Sequence, residues 1–102
     1  MFNPPDCTIT NLQRTDAVWP DPAKIAVTVE NRSDATAYDV QCDIKLKTGN
    51  MIVDQGSVFL GTLEGGESIT GEAWFWNIKT HSDYSSAAYH LSWYDSQGNY
   101  HD

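Results

Sequence analysis

From Tyr38 to Leu46 apolar and polar residues alternate: Val40, Cys42, Ile44 and Leu46 are separated by Gln41, Asp43 and Lys45. A period of two puts apolar side chains on one face and polar ones on the other, the pattern of a half-buried β-strand. Ile25, Val27 and Val29 show it earlier in the chain, and Tyr89, Leu91 and Trp93 show it later. A slip of one residue would turn every apolar side chain of such a strand to water, so the pattern also fixes which face is inward. The predicted core contains Ile25, Val27, Val29, Val40, Ile44, Leu46, Leu91 and Trp93.

The segments between these strands carry turn chemistry. Asn3-Pro4-Pro5-Asp6 is an extended lead-in, because proline fixes φ and biases the preceding residue toward extended backbone. A first strand is predicted over Cys7 to Gln13. Two prolines flanking Asp21 make Arg14 to Ala23 a surface connection, with Trp19 as a plug over the open end of the core. Lys24 to Asn31 is the next strand, with Lys24, Thr28 and Glu30 toward solvent. Asn31-Arg32-Ser33-Asp34 forms a turn, since these side chains hydrogen-bond nearby backbone. The same residues spell an N-glycosylation acceptor, although turn chemistry accounts for the asparagine by itself.

Thr48-Gly49-Asn50 predicts a hairpin returning through Met51 to Asp54. Gln55-Gly56 predicts a break, either a bulge or a switch of sheet, before a further strand from Ser57 to Leu63. Glu64-Gly65-Gly66-Glu67 reverses the chain into Ser68 to Trp76. A polar loop covers Asn77 to Ser86, and Ala87 to Asp95 pairs with Asn99 to His101 across Ser96-Gln97-Gly98. Seven or eight short strands without a helix predict one domain over residues 1–102. The expected class is all-β, an immunoglobulin-like antiparallel β-sandwich.

A chain of 102 residues with 40% apolar and 12% aromatic residues can bury a single core without metals or several disulfides. Six basic against fourteen acidic residues give a formal charge of −8, which repels nucleic acid phosphates and anionic lipid. The acidity is read as a solubility feature. Nothing approaches the roughly 18 apolar residues of a spanning helix, and the first residues lack the basic and apolar regions of a signal peptide, so membrane insertion is not expected. A cytoplasmic protein and a domain cut from a longer exported chain both fit. The ending at His101-Asp102, just past the last predicted strand, favours the excised domain. Cys7 and Cys42 allow one disulfide. Cys42 points inward by phase and the first strand can reach the central one across a sandwich, so a bridge and two buried thiols are both open.

The order of parts resembles a known family. Val27-Thr28-Val29-Glu30-Asn31, a polar turn, Ala37 to Leu46, a hairpin, Leu63-Glu64-Gly65-Gly66-Glu67-Ser68 and an aromatic-rich strand follow one another as in the immunoglobulin-like CARDB domain of bacterial and archaeal envelope proteins. The resemblance runs from residue 24 to about 95. Leu91-Ser92-Trp93-Tyr94-Asp95 with Gly98 is similar to the related FxLYD domain, with Trp93 interrupting the Leu-Tyr order. Asp34 and Gly65 depart from the CARDB pattern, standing where many such domains have glycine and proline. The resemblance implies a non-catalytic module of surface or secreted proteins, a spacer or an adhesion-type binding domain, and carries over no catalytic residue.

A search for chemistry points the same way. His81, Ser82 and Asp83 are consecutive, whereas a hydrolase triad is assembled from separate parts of a fold. His81, His90 and His101 lack paired metal-ligand spacing, although His90 and His101 could meet across the last hairpin. Asp95-Ser96-Gln97-Gly98-Asn99 has the oxygen donors of a small calcium loop without its spaced carboxylates and terminal glutamate, and is read as a turn. Gly65-Gly66 lies between strands, with no helix amino terminus behind it to hold a phosphate. No catalytic residue, cofactor or metal is expected.

One candidate ligand site remains. If Ile69, Gly71, Ala73 and Phe75 face inward, Trp74 and Trp76 stand outside, two indoles forming a flat stacking platform for a sugar ring or a partner protein. The structural alternative is that this outer face packs against a neighbouring domain or a long loop, or that the strand has the opposite phase. The expected function is a non-catalytic extracellular or cell-envelope module, a spacer or adhesion and protein-interaction domain, with the neighbouring domains of a larger protein as partners. The alternatives are a carbohydrate-binding module using Trp74 and Trp76, and an accessory domain that positions an enzyme.

Overall fold

In the computed structural model, which describes residues 4–18, 20–78 and 83–102, the alternating stretches become the central strands of two sheets. Strand β2 (Ala23–Asn31) buries every second residue from Ala23 to Asn31. It lies between β1 (Cys7–Thr15) and β5 (Ser68–Phe75). In the second sheet β3 (Ala37–Thr48) lies between β4 (Met51–Leu63) and β6 (Ser86–Tyr94), and β7 (Tyr100–His101) adds to the far side of β6. Every pairing of these strands is antiparallel. The orders β1-β2-β5 and β4-β3-β6-β7 make a seven-stranded, all-β sandwich of immunoglobulin-like architecture, in which the chain changes sheet after β2, β4 and β5.

The core forms where the two inner faces meet. Ile25, Val27, Val29, Val40, Ile44 and Leu46 are fully buried, and Trp93 is buried with its Nε1 donating to the Pro5 carbonyl at 3.2 Å. Leu91 is only half-buried, packed against the core from its border. β7 pairs with β6 only at Trp93 and Tyr94, so β6 has one open side at Leu91. The inward set on β5 is as expected, with Ala73 and Phe75 buried and Ile69 packed against the core. The loop expected to be polar supplies two core residues, Ile78 and Tyr84. Arg14 Nε donates to the Tyr84 hydroxyl at 3.0 Å, with its guanidinium 4.8 Å from the ring centroid.

One expected break in a strand needs correction. Gln55-Gly56 does not break the chain: Met51–Leu63 is one strand, with Gly56 opposite Ile44. A Cβ at Gly56 would stand 3.3 Å from Phe75 Cε1, so this glycine makes room for the ring that packs on it. The irregularities fall on either side of it: between Leu46↔Asp54 and Lys47↔Ile52, leaving Val53 as an extra residue, and from Gln41↔Phe59 through Val40↔Gly61 to Ala37↔Leu63.

Asn31 is not an available glycosylation site in this fold. It is fully buried, and its Nδ2 donates to the carbonyls of Ala35 at 2.7 Å and Leu63 at 3.1 Å. Its Oδ1 accepts from the backbone N–H and the hydroxyl of Ser33. His90 and His101, which could have met across the last hairpin, stand on opposite faces of their sheet and are described below. Trp19 and the pair His81 and Ser82 lie outside the described residues.

Candidate functional site

The predicted indoles both stand in solvent, Trp74 half-exposed and Trp76 63% exposed. Trp74 closes the outer side of β5, opposite Lys24 of β2. Trp76 lies just beyond β5 in a turn that Ile78 N–H closes onto the Phe75 carbonyl at 3.2 Å. Phe75 and Ile78 are buried on either side of that turn. Asn77 ties it to β4, its N–H donating to Asp54 Oδ2 at 3.2 Å and its Nδ2 to Asp54 Oδ1 at 3.3 Å. Because one indole is on a strand and the other on a turn, they are not coplanar: the ring centroids are 5.7 Å apart and the planes meet at 57°. The pair is angled, not the flat platform expected. Trp74 Nε1 donates to the Glu72 carboxylate, and Lys24 Nζ sits 4.7 Å from the Trp74 ring centroid.

A larger feature, not singled out from the sequence, occupies the outer face of the four-stranded sheet. Tyr38 pairs with Tyr94 across β3 and β6, and Tyr94 pairs with Tyr100 across β6 and β7. The three phenols form a row, the last two meeting edge to face with centroids 5.5 Å apart. Phe59, opposite Gln41, extends this aromatic area onto β4 and is 76% exposed. The signal was present in the phase of Trp93, which requires Tyr94 to point outward.

Next to the aromatic row runs a polar one. Asp43 stands opposite Ser57 on one side and His90 on the other. Its Oδ1 accepts from Ser57 Oγ at 2.6 Å and from Gln41 Nε2 at 2.7 Å, and these two hydrogen bonds hold the carboxyl below its ordinary value. His90 Nε2 lies 3.0 Å from Asp102 Oδ2, and its Nδ1 lies 3.9 Å from Asp43 Oδ2. A shallow depression of about 470 Å³ opens here, lined by Asp43, Lys45, Gln55, Gly56, Ser57 and His90. Ser57, His90 and Asp43 are not in triad order: the serine proton goes to the aspartate, and the histidine is engaged with carboxylates.

His101 pairs with Trp93 on the other side of this sheet and stacks on its indole at 6.1 Å. Its Nε2 lies 3.0 Å from Asp95 Oδ2. The rest of the Asp95 carboxylate is used within its own turn, by the N–H groups of Gln97 and Asn99 and by Asn99 Nδ2. Led by the His101 contact, these bonds hold Asp95 far below the usual carboxylate range. Asp95 therefore caps the β6–β7 turn. Among the described residues no group of three or more His, Cys, Asp and Glu is placed to hold a metal ion.

Cys7 and Cys42 are buried free thiols. Cys7 stands opposite Asn31 at the end of β2, whereas Cys42 lies within β3 opposite Val58 and Leu91. Burial first, then the nearby Asp6 and Asp43 carboxylates respectively, push both thiols up to about 11. Thiols of this kind are poor nucleophiles. No helix among the described residues is long and apolar enough to cross a membrane. Comparison with protein-family models, with characterised proteins and with solved structures gives no match for this chain.

Proposed function

We propose that this chain is a non-catalytic adhesion or protein-interaction module, whose contact surface is the outer face of the β4-β3-β6-β7 sheet. The observation that carries this reading is the row Tyr38, Tyr94 and Tyr100 with Phe59 beside it, all exposed on neighbouring strands. Tyrosines on a rigid sheet offer large amphipathic contact area at small entropic cost, which is why they recur at the centres of interfaces. Gln41, Ser57, Asp43 and His90 border the aromatics as a polar rim whose hydrogen bonds are already set. A module of a larger envelope or extracellular protein is supported by the CARDB-like order of turns.

The experiment is a protein array of envelope and extracellular proteins, probed with the wild type and with a Phe59→Ser, Tyr94→Ser double variant. A partner bound by the wild type and lost by the folded variant is the expected result. If wild type and variant bind the same set, or neither binds, the face is not an interaction surface and the spacer reading replaces this one.

A further inference from the structure

We infer that the Trp74–Trp76 corner is a second and separate site, which receives one pyranose ring of a glycan. It lies on the outer face of the three-stranded sheet and does not depend on the tyrosine row. Its anchorage to buried and hydrogen-bonded neighbours is the first ground. Trp76 is fixed by a turn with buried residues on both flanks and by the Asp54–Asn77 clamp, while Trp74 is held by Glu72 and Lys24. Two exposed indoles preset at 57° can contact a ring without first being ordered.

The second ground is the surroundings. The outward positions of β5 and β2 beside the indoles are Glu72, Thr70, Lys24, Ala26 and Thr28, with a Thr28–Thr70 hydroxyl pair at 2.7 Å. A protein contact would need a contiguous apolar centre, and among the described residues these outward positions give the two rings a largely polar field. A pyranose matches that arrangement, with an apolar C–H face for an indole and a rim of hydroxyls for a carboxylate and an ammonium. Glu72 accepts hydroxyl hydrogens, Lys24 donates to hydroxyl oxygens, and both are already beside Trp74. The angle between the planes leaves one ring to be stacked on Trp76 while Trp74 flanks it, so recognition of a single residue is expected rather than of a flat chain along both indoles.

The test is isothermal calorimetry of the intact chain with cellohexaose, xylohexaose, mannohexaose and chitohexaose. At least one should bind saturably, with a dissociation constant of about 1 mM or below. Trp76→Ala should weaken that binding at least tenfold and Glu72→Gln at least threefold, while Tyr94→Ser leaves it unchanged. Both indole and carboxylate are exposed, so circular dichroism should show all variants folded. Absence of saturable binding to all four probes, or binding by Trp76→Ala equal to the wild type, overturns the inference. Loss of sugar binding in Tyr94→Ser also overturns it, because the sugar would then be held on the tyrosine face.

Discussion

Replacing Asn31 by alanine tests how the sandwich holds two of its three sheet-to-sheet connections, those after β2 and after β4. The residue sits where the chain leaves β2, and its main chain already joins the β4–β5 turn, with Asn31 N–H donating to Glu67 O at 2.9 Å and Gly66 N–H donating to Asn31 O at 2.8 Å. Its side chain adds the bonds to Ala35 O and Leu63 O and those from Ser33. Alanine removes all four side-chain bonds. The Ala35 carbonyl keeps the Ser33 hydroxyl at 3.1 Å, but the Leu63 carbonyl and the Ser33 N–H lose their Asn31 partner. At about 1–3 kcal/mol for each stranded group, Asn31→Ala should cost about 3 kcal/mol. In a domain of this size that lowers Tm by about 15 °C. Asn31→Asp should cost more at pH 7, because it aims a carboxylate at two carbonyl oxygens, and should recover part of the loss at pH 3 where it is protonated. Urea unfolding of the three proteins at both pH values decides the matter. A loss below about 1 kcal/mol for Asn31→Ala would refute the reasoning.

Further outcomes follow from the same packing. A Cβ at Gly65 would stand 2.7 Å from the Ser33 carbonyl oxygen and 2.9 Å from the Asp34 carbonyl, both backbone, so Gly65→Ala should destabilise by about 1–3 kcal/mol in urea unfolding, whereas Gly98→Asn, in open space at a φ of 82°, should cost less. Cys7 and Cys42 hold their protons more tightly folded than unfolded, so their contribution to stability is complete below pH 9.0 and declines as pH rises toward about 11. A Cys7→Ala, Cys42→Ala variant should show a shallower alkaline decline in its urea midpoint. Asp95 has the opposite sign: its depressed pKa stabilises the fold above the ordinary value of 3.8, and this is lost as pH falls below it. Asp95→Asn should therefore flatten the acid limb of the stability profile.

The fold was legible in the strands with one wet face. β2 and β3 announce themselves because apolar inner residues alternate with polar or small outer ones from Ala23 to Val29 and from Val40 to Leu46, and turn residues mark their ends. Gly56 misled because a glycine within a strand reads as a break, while its cause is a ring from β5 that no local pattern reveals. Ile78 and Tyr84 were hidden for a similar reason: their burial depends on how the connection folds back over the core. Of the candidate sites, Trp74 and Trp76 were found because phase places them outside, and their tilt was not, because it arises from the turn after β5. The tyrosine row depends on register among three strands, and residues as distant as Tyr38 and Tyr100 become neighbours only through Tyr94. Phase places only Tyr94 outside: Tyr38 is in step with the inward Val40 and is turned out by the irregular pairing around Asp39, whose φ is 52°, and register with β6 and β7 makes the three a row.

Hydroxyl-radical footprinting, read residue by residue with and without a protein partner identified on the array, tests the interaction face most directly. Bound chain should show Tyr38, Phe59, Tyr94 and Tyr100 protected together, with Trp74 and Trp76 as reactive as in the free chain. Protection of the two tryptophans while the tyrosine row stays reactive would contradict the assignment and move the protein contact to the opposite sheet.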